Sequence, residues 1–90
     1  VLDVAVRRLP AAYPMYHLGY EPHLARLDDW VTGLRGVLSF GRLGLHAHDN
    51  THHALAMARA AVACLGEDGA FDELRWALCR EEFKTHVVED

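Results

Sequence analysis

Apolar and polar positions repeat with different periods along this ninety-residue chain, and each change of period marks an expected element. Residues 1–6 read Val-Leu-Asp-Val-Ala-Val, β-branched and partly alternating, which predicts a strand. Residues 9–20 contain Pro10 and Pro14, which fix their own φ and push the preceding residues towards extended geometry, so an ordered but irregular loop is expected. Pro22 suits the first turn of a helix in which Leu24, Leu27, Val31 and Leu34 recur at helical spacing, backed by Arg26, Asp28 and Asp29. Gly33 or Gly36 closes that helix. Residues 37–40, Val-Leu-Ser-Phe, read as a short buried-type strand, and Gly41-Arg-Leu-Gly44 turns sharply out of it. Asn50 or Thr51 is a good N-cap for a helix that runs to about Leu65 and stops at Gly66. A last helix begins near Ala70, with Phe71, Leu74 and Leu78 on its apolar face. The expected class is α+β: helix-rich, with two short strands and three helices.

The middle helix changes this picture. Residues 54–65 read ALAMARAAVACL, with Arg59 as the only charge, and a helix apolar all round belongs inside something larger. Two amphipathic helices and two short strands can hardly cover it, so the expected cover is polypeptide outside this chain, the alternatives being a tight alanine-rich core of a small bundle and self-association through residues 54–65. The chain opens on Val1 rather than methionine, which points the same way.

Composition narrows the function classes. At 51% apolar and 24% charged the chain is globular rather than disordered. Its net charge is −4 and Lys84 is its only lysine. A nucleic-acid partner is therefore not expected, because displacing counterions from phosphates takes a Lys/Arg stripe. No run approaches the roughly 20 apolar residues of a membrane span. Cys64 and Cys79, two thiols within helical patterns, suit a cytoplasmic setting better than a disulfide scaffold.

The sequence from residue 37 onward also has a chemical reading. A strand running into a glycine turn and then a capped helix lets a ligand approach the backbone, and the helix N-terminus favours an anionic group there. The wording is more specific than the geometry. Gly41-Arg-Leu-Gly-Leu-His-Ala-His-Asp-Asn-Thr-His-His-Ala-Leu55 resembles the C-terminal FAD-contact segment of amine-oxidase, protoporphyrinogen-oxidase-like and UDP-galactopyranose-mutase-like flavoproteins. Those families read approximately GRxGLFxYNNMDHSI there, followed by an alanine-rich helix. Ala12-Tyr-Pro-Met-Tyr16 and Gly19-Tyr20 resemble the AYPxY…GY loop that precedes it.

The resemblance implies that the chain completes the Rossmann-like FAD domain of a larger flavin-dependent oxidoreductase. Residues 1–20 would come from the substrate-domain junction and residues 21–90 from the FAD-binding domain. The partner is then the N-terminal remainder, which would carry the G-x-G-x-x-G fingerprint absent here. The substrate is a small organic molecule, and the segment alone is inactive. Gly41, Arg42 and Gly44 would line the FAD, with Asn50, His52 and His53 at further cofactor-contact positions and Tyr13 and Tyr16 facing substrate. His46 stands where the families have phenylalanine, His48 for tyrosine, Asp49 for the first asparagine and His52 for an aspartate.

Two other readings use the same residues. His46, His48, His52 and His53 with Asp49 have the chemistry of metal ligands, but no further ligand set accompanies them in the pattern. They read as polar loop and cap residues, and no metal is expected. The apolar helix could equally make the chain a small helical protein-interaction module.

Overall fold

The computed structural model describes residues 1–89. Four helices form in the order α1 (Glu21–Thr32), α2 (Gly41–Gly44), α3 (Thr51–Ala63) and α4 (Glu73–Phe83). The three expected helices are α1, α3 and α4, and α2 is the glycine turn, wound into one helical turn. The expected strands do not form. Residues 1–6 and 37–40 carry no ladder, and the described residues hold only one isolated antiparallel bridge, Leu65 with Phe71. A strand is stabilised by a neighbour's hydrogen bonds and side chains, and neither segment meets one. This small all-helical structure overturns the α+β, Rossmann-like class.

The core lies between α3 and α4. Met57 (1% exposed), Ala61 and Cys64 descend one side of α3 at helical spacing and meet Trp76 and Phe83 of α4. Phe40, Phe71 and Phe83 each set an edge or face against Trp76, with ring centroids 6.0, 6.1 and 5.7 Å away. Such tilted arrangements match the ring quadrupoles and add roughly 0.5–1.5 kcal/mol per pair beyond area burial. The α3–α4 turn is tied at both ends. Arg75 Nη1 donates to the Ala63 carbonyl at the end of α3, and Asp72 accepts from the Arg75 amide as the N-cap of α4. The face of α4 differs from the expected one. Leu78 and Leu74 point outward, the latter 83% exposed, while Trp76 and Phe83 turn inward.

Only one side of the apolar helix is covered. Leu55, Val62 and Leu65 around α3 are exposed. Helix α1 contributes no buried residue. It is held by the Asp28–Arg80 ion pair at 2.6 Å and by Tyr20 at 5.0 Å from the His46 ring. A groove of about 710 Å³ remains between α1 and α4. The first 12 residues are all exposed. The Cα radius of gyration, 16.2 Å, exceeds the roughly 12 Å of a compact domain of this length because the N-terminal arm is not packed.

Candidate functional site

The histidine-rich block folds into two linked features. The first is the glycine turn. Gly41 has φ +82°, a left-handed value that glycine adopts freely, and nothing stands within 4 Å of where a Cβ would project. Its amide donates to the Met57 sulfur at 3.2 Å, which seats the turn on α3. Gly44 is small for a local reason: a Cβ there would meet the Ser39 hydroxyl, which donates to the Gly44 carbonyl at 3.0 Å. The turn ends in a Schellman motif, with the Ala47 amide donating to the Arg42 carbonyl and the His46 amide to that of Leu43. His46 takes the left-handed position, φ 49°, where glycine is usual.

Around this turn the resemblance-derived residues gather unevenly. The Arg42 guanidinium lies over the Tyr13 ring, 4.4 Å from its centroid, in a cation–π contact. Tyr16 packs edge-on to His46 (4.8 Å), Tyr20 (5.8 Å) and His48 (6.1 Å). Desolvation first, then Tyr20 and the Asp49 carboxylate, push the Tyr16 hydroxyl's pKa up. Tyr13 and Tyr16 thus share one end of the molecule with Gly41, Arg42 and Gly44.

The second feature is the N-terminus of α3. The Asn50 amide donates to Nδ1 of His53 at 3.0 Å, closing the first turn. The Asn50 side chain also holds the tail, accepting from the Glu89 amide and donating to the Glu89 carbonyl, both at 3.0 Å. This two-point clasp lays the C-terminal tail across the start of α3. His53 is buried beneath it, its ring stacked on His86 at 4.4 Å and 13°. His52 remains exposed, 4.1 Å ring to ring from His53.

Beneath the tail lies Asp49, only 6% exposed. Its Oδ1 is 3.6 Å from Nδ1 of His53 and 3.8 Å from Nδ1 of His86, both beyond hydrogen-bonding reach. Its Oδ2 and the His86 Nδ1 are buried without a partner. Asp49 also borders a cleft of about 270 Å³ that runs under α1 past Tyr20 and Met57 to Arg80. Sequence pattern marked Asp49 and His53, but not their burial, and missed His86. No local signal joins residues 33 apart; only the turn back through α4 brings them together.

Comparisons with protein-family models, with curated proteins and with solved structures find no match.

Proposed function

We propose that this chain is the flavin-contacting C-terminal segment of a larger FAD-dependent oxidoreductase of the amine-oxidase or protoporphyrinogen-oxidase-like kind, and that it has no activity alone. The observation that carries this reading is the Gly41–Arg42 turn: an approachable backbone and a cationic side chain seated together on α3, in the segment whose wording resembles an FAD contact. The fit is specific to the turn. A phosphate could approach Gly41 without meeting a side chain; the Gly41 amide is spent on Met57, so Arg42 supplies the contact, its planar guanidinium fork matching phosphate oxygens. Gly44 closes the same turn, and His52 is exposed at the start of α3. Asn50 and His53 are engaged by the tail, so in the chain as folded the contacts rest on the other four.

When bound, FAD supplies the hydride chemistry, while protein groups position it and exclude water. Arg42 would neutralise phosphate charge, and Tyr13 and Tyr16 would border a small organic substrate. The exposed sides of α3 and α4 would be covered by the remainder of the protein. Two free thiols, Cys64 and Cys79, suit the reducing cytoplasm.

The test is the absorbance of the full-length gene product. Flavin bands are expected, with Arg42→Ala lowering FAD affinity about tenfold, the loss of one charge-assisted contact; a colourless full-length protein overturns the reading. A second reading, a cofactor-free helical docking module, is favoured by the exposure of Leu55, Val62, Leu74 and Leu78. It requires a stable dimer or heterodimer and no flavin absorbance.

A further inference from the structure

The Asp49, His53 and His86 side chains make a second site, independent of the flavin reading. Each offers one ligand atom, and the three atoms lie within 4.8 Å of one another. Two ligands of a tetrahedral ion, each about 2.0–2.1 Å from it, stand roughly 3.4 Å apart. The carboxylate–imidazole separations of 3.6 and 3.8 Å are close to that spacing and too long for hydrogen bonds. Burial sharpens the point. The Asp49 side chain is 4% exposed, and a buried acceptor without a donor is costly to leave unsatisfied. Oδ2 of Asp49 and Nδ1 of His86 are both in that condition.

We propose that Asp49, His53 and His86 bind one divalent transition-metal ion of the Zn²⁺ or Co²⁺ type, at the junction of α3 and the C-terminal tail. Two imidazoles and one carboxylate select such an ion over Mg²⁺ or Ca²⁺, which favour all-oxygen sets. Three protein ligands leave a fourth position for water, and the cleft beside Asp49 gives that water a path. Uptake asks for two local adjustments. The imidazoles lie parallel within 13°, so their lone pairs do not converge, and the His86 ring must turn. His86 can do so because it follows the end of α4. His53 must release the Asn50 amide if it ligates through Nδ1. The ion neutralises the Asp49 carboxylate and pins the tail to α3, adding to the Asn50–Glu89 clasp.

The test uses the ninety-residue chain made without a polyhistidine tag and stripped with a chelator. Titration with Co²⁺ followed by visible absorption, and with Zn²⁺ followed by calorimetry, is expected to give one ion per chain. The amide resonances of Asn50 and Glu89 should shift on saturation. His86→Ala and Asp49→Asn should each weaken binding at least tenfold, while His48→Ala leaves it unchanged. His86→Ala removes a tail residue rather than a core one, and Asp49→Asn keeps the shape of its side chain, so both should retain the far-ultraviolet spectrum. Absence of a stoichiometric ion overturns the proposal. So does undiminished binding in His86→Ala, or an equal loss in His48→Ala, which would mark adventitious capture by the histidine-rich stretch.

Discussion

Trp30 and Trp76 sit on helices of similar length, each among leucines at helical spacing, yet one is 65% exposed and the other 6%. The difference lies in what stands opposite. Trp76 faces α3 and is ringed by Phe40, Phe71 and Phe83. Trp30 belongs to α1, which meets the rest of the molecule through Tyr20 and the Asp28–Arg80 pair with open grooves on either side. An apolar stripe contributes stability only where a complementary surface removes it from water. One half of this protein has such a surface, and the other presents its stripe without one.

The largest effect that would break this comparison comes from the tryptophans themselves. Trp76→Ala should cost about 3–5 kcal/mol in urea or thermal unfolding, whereas Trp30→Ala should stay within about 0.5 kcal/mol. Equal losses would mean that α1 packs as firmly as α4. Next in size, Asn50→Ala removes both clasp bonds to Glu89 and an N-cap side chain together, for about 1–2 kcal/mol. Amide exchange at Glu89 should then reach the rate of an unprotected tail.

Asp28→Asn separates the two halves more gently. The ion pair is partly exposed, so its loss should cost about 1 kcal/mol or less. Amide exchange should quicken in α1 and remain slow in α3; faster exchange in both would show that the halves fold as one unit. The smallest effect vanishes at neutral pH. Burial, then its neighbour Cys79, raise the pKa of the Cys64 thiol. The folded state therefore holds that proton to higher pH than the unfolded chain does. Stability is full below the ordinary thiol range and declines as pH rises through it towards the folded-state value. Cys64→Ala should flatten the alkaline limb of a stability–pH curve, and an unchanged limb would assign it to other groups.

How much of this was legible beforehand differs from element to element. Asn50 marked the start of α3, because caps act over three or four residues and can be read locally, whereas α3 ends at Ala63, short of the expected stop at Gly66. The alanine-rich run announced a helix that its own chain does not fully cover, and Leu55 and Val62 are indeed open. Residues 1–6 and 37–40 have strand composition, but strand composition describes a segment that suits a sheet, and no neighbour arrives. On α4 the pattern pointed to Phe71, Leu74 and Leu78 as the apolar face, but Leu74 and Leu78 are exposed and Trp76 with Phe83 is buried instead. Only the approach of α3 chose between them, burying the pair with greater area.

The site divides the same way. Glycine at 41 and a cap at 50 were readable from residue type, since φ preference and capping belong to single residues and their near neighbours. The partners of those groups were not. Met57 beneath Gly41, Glu89 across Asn50, and His86 over His53 beside Asp49 are set by how the chain returns on itself after α4. Sequence by itself determined the three longer helices, the cap that starts α3 and the apolar rod, because helical hydrogen bonds close within four residues. Tertiary structure alone decided which faces were covered, that no sheet formed among the described residues, and that a carboxylate and two imidazoles meet. Those outcomes depend on contacts between distant segments, whose energies are set by the surfaces brought together rather than by either segment alone.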